Sequence, residues 1–230
     1  MDHLVEATKK VSCPFFNIDT ILSQEDMELL HRNKTEKSYL SNDIILRQGS
    51  YISQVLFLKS GLVKIILEDK DEVSSILKIV PHNNFIALPV LGNLNVYPFT
   101  VIAINKSVIC HIRRDTLLDI IARNPELYNY IINWFAHDYT YLYDRFNTLS
   151  ARNNHGKLAS ALLYLTGETF MGLNMLRLIS RKELAQLASI SLESTNRILL
   201  ELKNDRIINI ENRNITILEP KLLKVLSQVG

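Results

Sequence analysis

Cysteine is scarce in this chain: Cys13 and Cys110 are the only two in 230 residues. That excludes a disulfide framework and fits a reducing compartment, the cytoplasm. Two thiols without paired spacing are also too few for a cysteine-only zinc or iron–sulfur site, so no metal is expected. Long hydrophobic runs are missing too, since no stretch approaches the ~18 apolar residues of a membrane span. The opening MDHLVEATKK lacks the apolar centre of a secretory signal, and no membrane partner is expected. No nucleophile–base motif, metal spacing or Gly-rich phosphate loop occurs, which argues against an enzyme. The net charge of +2 is small, but it is unevenly spread. From Arg152 onward eleven Lys and Arg face seven Asp and Glu, whereas residues 1–151 hold fifteen against seventeen. A basic C-terminal third on a slightly acidic body points to a polyanion as the partner of that third.

What is present falls into three parts. Residues 23–32 (SQEDMELLHR) have a capping serine and acids in the first turn, the signature of a short helix. From about 35 to 113 the chain reads as short apolar strands between turn residues: DIILRQG, QVLFLKSG, LVKIILEDKDE, SSILKIV, FTVIAIN and SVICHI. Gly49 and Gly61 sit where strands must reverse, which glycine does without a Cβ penalty. So many short strands suggest a compact β-barrel, roll or sandwich.

After the short helix RRDTLLDIIARN, Pro125 starts a long one. Along it Tyr128, Ile132, Phe135, Tyr139, Leu142, Phe146 and Leu149 recur at alternating spacings of four and three, an unbroken heptad stripe. Leu127, Ile131, Trp134 and Tyr141 form a second stripe beside it. A helix with two apolar faces needs two neighbours. Either it is buried between layers of its own domain, or one face packs on the strands and the other on a second copy; the regular seam favours the homodimer. RNNHG (152–156) reads as a hinge, giving expected parts 1–124, 125–151 and 152–230. Beyond the hinge a helix is expected over KLASALLYLTGETF (157–170) and a strand over MLRLI (175–179). Two strands about a polar turn (IINIENRNITILEP) and a small helix (KLLKVLSQ) finish the chain.

Between these lies SRKELAQLASISLESTNRILLEL. Ser180 with Glu183 forms a capping box for a helix running to Ala188. Ser189, Ile190 and Ser191 then make a tight turn into a second helix. That helix opens with Ser191, Glu193, Ser194, Thr195, Asn196 and Arg197, all able to meet a polar surface, and closes with Ile198, Leu199 and Leu202. Two helices about a short turn, followed by a hairpin, make a winged helix-turn-helix, whose second helix enters the major groove N-terminus first. Seryl and threonyl hydroxyls suit phosphates, arginine suits guanine, and glutamate suits cytosine. Taken alone, the stretch is equally a capped amphipathic surface helix; the basic balance and the wing favour double-stranded DNA.

The segment ISRKELAQLASISLESTNRIL resembles the helix-turn-helix of the Crp/Fnr family of bacterial transcription regulators, and QVLFLKSGLVKI and the turn at Gly49 are similar to its β-roll. The resemblance implies an α+β fold: an N-terminal β-roll (a cupin-like double sheet), a long dimerisation helix and a C-terminal winged helix-turn-helix. It implies a homodimeric, sequence-specific regulator on an inverted-repeat operator, with RNA polymerase as a further partner if it activates. Carried over, Ser180, Arg181, Ser191 and Ser194 fall on phosphate-contacting positions, and Glu193 and Arg197 on base-reading ones, with Leu192 and Asn196 beside them. Leu192 stands where the cyclic-AMP receptor branch has an arginine, and an aliphatic residue there is similar to the Fnr branch. Ser189 replaces the turn glycine.

Relatives that bind cyclic nucleotides hold the phosphate with a Gly-Glu pair and an Arg-Ser/Thr pair. Here Ile86 and Ala87 take the first place and Pro98, Phe99 and Thr100 the second, with no Lys or Arg between Lys78 and Lys106. Cyclic AMP is therefore not expected, nor is the Fnr branch's iron–sulfur cluster. Phe85, Ile86, Leu88, Leu91, Tyr97 and Phe99 remain as an apolar set, read either as filled core or as the lining of an effector pocket for a flat ligand such as haem. Axial ligands would come from His82, His111, His137 or Cys13, while Cys110, mid-strand, reads as buried and inert. The competing functional reading is a ligand-binding module whose winged helix docks protein rather than DNA.

Overall fold

A computed structural model describes residues 20–68, 74–86, 88–212 and 214–230. Cys13 and Ala87, both singled out above, lie outside them.

Helix α1 (Gln24–Arg32) is capped by Ser23, whose side chain accepts from the Asp26 amide. Eight strands follow: β1 (Lys34–Tyr39), β2 (Ile44–Leu46), β3 (Gln54–Ser60), β4 (Leu62–Leu67), β5 (Ser75–Pro81), β6 (Asn84–Phe85), β7 (Thr100–Ala103) and β8 (Ser107–Arg113). They form two antiparallel sheets, ordered β1-β8-β3-β6 and β2-β7-β4-β5. The expected β-roll is this pair of sheets. Gly61 joins β3 to β4 at φ +95°, and a Cβ there would meet Ser107 Oγ at 2.3 Å, so both backbone and space demand glycine.

The strand period of two decides which residues face which layer. Val63 and Ile65 of β4 point between the sheets, into a core with Val55, Leu56, Leu58, Phe85 and Val101. Leu62 and Ile66 point outward, into a second core that includes Leu158, Leu162, Leu187 and Leu199 of the C-terminal helices. β4 is thus buried on both faces, which is why LVKIIL shows no polar alternation.

Helix α2 (Arg114–Arg123) leads to α3 (Pro125–Ala151), 27 residues long, with Pro125 in its first turn and the Asn124 side chain capping the Leu127 amide. Leu127, Ile131 and Trp134 are buried against the roll. The heptad stripe faces the other way. Tyr128, Ile132, Tyr139 and Phe146 are exposed, Phe146 by 70%, while Phe135, Leu142 and Leu149 are half-buried. Burial within one chain therefore accounts for only part of the stripe.

The C-terminal part corrects two expectations. Residues 157–170 are not one helix: α4 spans Asn154–Leu165, started early because Asn153 caps the His155 and Gly156 amides, and Glu168–Phe170 is a separate 3-10 turn. Met175–Ile179 is not a strand. Met175–Leu178 is a one-turn helix, α5, capped by Asn174, with Met175 and Leu176 buried. A short apolar run cannot by itself distinguish strand from buried helix, and here the cap decides. The chain ends with α6 (Arg181–Ala188), α7 (Leu192–Asn204), the hairpin β9 (Ile208–Glu211) and β10 (Asn214–Ile217), and α8 (Pro220–Val229).

Candidate nucleic-acid interface

The capping box at the start of α6 is complete. Ser180 Oγ accepts from the Glu183 amide at 3.2 Å, and Glu183 Oε2 accepts from the Ser180 amide at 2.8 Å and from its hydroxyl at 2.7 Å. Ser189 takes the left-handed conformation, φ +53°, that the turn requires, at the cost a side chain carries there. Ser191 then caps α7: its hydroxyl accepts from the Ser194 amide at 3.1 Å and donates to Ser194 Oγ at 2.9 Å.

On α7 the division expected from sequence holds with one correction. Ile198, Leu199 and Leu202 are buried, and Leu192, Glu193, Asn196 and Arg197 are exposed on the opposite face. Thr195 does not reach a polar surface. It is fully buried, and its hydroxyl donates to the Ser191 carbonyl at 3.0 Å, the back-bond of a threonine inside a helix. Arg197 Nη1 donates to Glu201 Oε1 at 3.2 Å, and Glu201 Oε2 lies 2.6 Å from His155 Nε2 on α4. The His155 bond, reinforced by Arg197, holds the Glu201 carboxyl below its ordinary range despite some desolvation. Arg181 is half-buried at the first position of α6, and the wing turn carries Asn212 at φ +46°.

Two ion pairs that the sequence does not betray fasten helices to the roll, one holding α6 and the other α3. Lys64 Nζ, outward on β4, donates to Glu183 Oε1 at 2.6 Å, with both side chains largely buried. Burial pushes the Glu183 carboxyl up, but the Lys64 ammonium and the Ser180 hydroxyl and amide outweigh it, leaving it below the usual carboxylate range. Lys78 of β5 pairs with Asp138 of α3, and lies over the Trp134 ring. Because the folded Glu183 titrates low, the pair's contribution is complete above the ordinary carboxylate range and lost as pH falls through the lower folded value. Lys64→Ala strips a buried carboxylate of its partner, a loss on the order of 3 kcal/mol. Faster amide hydrogen exchange in α6, with the α3 amides unchanged, is the expected signature.

The apolar set of the roll is packed. Phe85, Ile86, Leu88, Tyr97 and Phe99 are buried in the inter-sheet core with Leu91 against them, and Phe57 stands edge-on to Phe85 at 5.2 Å. His111 is buried: its Nδ1 donates to Gln54 Oε1 at 3.0 Å, and its Nε2 accepts from the Tyr39 hydroxyl at 3.0 Å. Burial, with Lys37 nearby, holds that ring below its ordinary value, so it is neutral with both nitrogens engaged. His82 lies in the turn before β6, and His137 on α3. Among the described residues no group of three or more His, Cys, Asp or Glu is arranged to hold a metal. Cys110 is buried, and burial, aided by Glu36, raises its thiol above the ordinary range, the inert setting expected for it.

One arginine is held entirely by main-chain carbonyls. Arg114, at the start of α2, donates to the carbonyls of Val90, Leu91 and Gly92 at 2.9, 3.3 and 2.6 Å. Thr100, in the place of the family's Arg-Ser/Thr pair, donates through Oγ1 to Glu68 Oε1 at 2.7 Å. An anion at Thr100 would meet the Glu68 carboxylate.

A double-sheet roll followed by a long helix and a winged helix-turn-helix defines a class of DNA-binding regulators with a sensor domain. Two family models match within it, the cyclic nucleotide-binding domain over residues 36–124 and the Crp-like helix-turn-helix domain over residues 156–226. With both in this order, the chain belongs to the Crp/Fnr family of transcription regulators, which are not enzymes. Similar solved structures include FixK2 from Bradyrhizobium japonicum (17% identity, TM-score 0.75, covering 86% of this chain and 98% of that one). The c-di-GMP-responsive global regulator CLP of Xanthomonas campestris is 18% identical, with TM-score 0.74, covering 85% and 99%. A Crp/Fnr-family regulator from Thermus thermophilus is 20% identical, with TM-score 0.69, covering 84% and 98%. At these identities the likeness is one of fold. No curated protein matches the sequence. Among the described residues no helix is long and apolar enough to cross a membrane.

Proposed function

We propose that the protein is a cytoplasmic, homodimeric Crp/Fnr-type regulator that binds an inverted-repeat operator. Its parts are a sensor roll (1–124), a dimerisation helix (125–151) and a DNA-reading unit (152–230). The observation that carries the reading is the split of α7, with Glu193, Asn196 and Arg197 exposed near a capped N-terminus while Ile198, Leu199 and Leu202 are buried. Glu193 and Arg197 read base edges, with Leu192 and Asn196 beside them, while Arg181 and the hydroxyls of Ser180, Ser191 and Ser194 hold phosphates. An activator of this build has RNA polymerase as its next partner.

Binding to duplex DNA that falls steeply with salt is the expected result, because each neutralised phosphate releases a counterion. Binding insensitive to salt, with a protein partner captured through α7 instead, would reverse the reading.

The signal is other than cyclic AMP. The apolar set from Phe85 to Phe99 is better read as filled core than as a haem pocket, since its members pack on one another and His111 has both nitrogens engaged. Desolvating a phosphate beside Thr100, whose hydroxyl is already given to the Glu68 carboxylate and which has no lysine or arginine near it in the stretch between Lys78 and Lys106, is uncompensated. Calorimetry should record no heat of cyclic-AMP binding up to millimolar nucleotide, and a micromolar isotherm would overturn this assignment.

A further inference from the structure

A cavity of about 410 Å3 lies where the C-terminal half of α3 meets α4, α6 and α8. Its volume is that of a small-molecule site, and its wall is largely apolar. The rings of Tyr141 and Tyr164 lie 5.5 Å apart on one side, and their hydroxyls are already engaged by the roll: Tyr141 donates to the Leu77 carbonyl, Tyr164 to that of Ile79. Leu187 of α6 and Ala161 of α4 line it as well.

The charged groups are few and unbalanced in sign. Arg145 and Lys157 line the cavity against one acid, Asp144. The Lys157 side chain is half-buried yet makes no ion pair or hydrogen bond among the described residues. Arg145 donates through Nη2 to the carbonyls of Ile76 at 2.6 Å and Leu187 at 2.8 Å, which fixes its guanidinium and leaves Nε and Nη1 uncommitted. A half-buried ammonium without a partner, beside an immobilised guanidinium, is what a single anionic group needs.

We propose that this cavity is an effector site for a flat, mostly apolar molecule bearing one acidic group, either carboxylate or phosphate. The ring system lies against Tyr141 and Tyr164, and the acid lies between Lys157 and Arg145. Because the site is walled by α3, α4, α6 and α8, an occupant favours one setting of the DNA-reading helices relative to α3. Its differential affinity for that setting shifts their population. Only this consequence rests on the regulator reading; ligand binding does not.

The test uses the full chain and the fluorescent probe 8-anilinonaphthalene-1-sulfonate, a flat apolar body with one acid group. One saturable site per chain is expected. Lys157→Gln should weaken it about tenfold, and Ser160→Trp, at the half-buried rim, should abolish it while the thermal melt is retained. The uncharged analogue N-phenyl-1-naphthylamine should bind the wild type and Lys157→Gln equally. Probe binding unchanged by both substitutions overturns the site. Lys157-dependent probe binding that leaves duplex DNA affinity unaltered overturns the effector role. Probe binding that behaves as expected, in a protein that binds no DNA in any state, supports the ligand chemistry and counts against the regulator reading instead.

Discussion

Ile132→Glu and Phe146→Glu should each turn the protein into a monomer in sedimentation equilibrium and abolish its binding to an inverted-repeat duplex. Both side chains stand out from α3, exposed by 48% and 70%, and neither belongs to the core of its own chain. A two-fold seam brings each stripe against its copy, so a single substitution places two carboxylates in one apolar interface. An unpaired buried charge costs about 3–5 kcal/mol, which is comparable with the stability such a seam offers. Phe135 is the poorer site for this test, because its ring stands edge-on to Trp134 at 5.4 Å and its loss would also disturb the roll. A monomer holds one half-site at a time and forfeits the roughly 10²–10⁴-fold gain of two linked contacts. The thermal melt of each variant should fall to that of a folded monomer and lose its dependence on protein concentration. A charged variant that sediments as a dimer would place the seam elsewhere.

The parts of this fold that were legible in the sequence are those with local causes. Ser180 and Glu183 are three residues apart, and the capping box they form needs nothing else. Pro125, the heptad stripe and the glycines at positive φ are equally local signals. β1, KTEKSY, was not legible: its burial is slight, and it is a strand because β8 lies beside it in register, Lys34 opposite Ile112. Met175–Leu178 was misread because four apolar-rich residues suit either period, and only the Asn174 cap settles the matter. The buried Lys64 did leave a trace, a lysine in the middle of the apolar run LVKIIL, where an unpaired ammonium would be costly. Its partner, Glu183, is 119 residues away, and no spacing rule connects them. The cavity beside Arg145 was invisible for the same reason, since four helices meet to make it. The face of α7 was legible from its period, but the buried Thr195 was not, because a threonine hydroxyl meets water or its own helix carbonyl equally well.

Arg197→Ala should lower affinity for the preferred operator by ~1–3 kcal/mol and relax selection at a single base pair. A guanidinium reads guanine by donating to O6 and N7 together, a geometry that alanine removes and lysine does not restore. In the free protein that guanidinium is held by Glu201 at 3.2 Å, and Glu201 is held in turn by His155 at 2.6 Å. On binding DNA the arginine should therefore start from a restricted set of positions, with part of its ordering cost already met. Such an exposed pair is weak, because water screens it, and it does not prevent the exchange for a guanine. Glu193, one turn earlier, should accept from a cytosine N4 amine on an adjacent pair. Leu192, exposed by 45%, has no donor and should meet a thymine methyl. The selected half-site should accordingly carry a thymine-rich step before its G·C pair, nearer the Fnr-type TTGAT than the TGTGA of the cyclic-AMP receptor. Two half-sites should recur as an inverted repeat about one turn of DNA apart, ~34 Å. Arg181→Ala gives the contrasting result: a phosphate contact carries no sequence information, so every duplex weakens alike and the slope of log affinity on log salt falls by about 0.9. Selection from random duplexes with each variant separates the two roles. If Arg197→Ala weakens all sequences equally and returns an unchanged half-site, the arginine anchors rather than reads, and the base contact must be sought at Asn196 or Glu193.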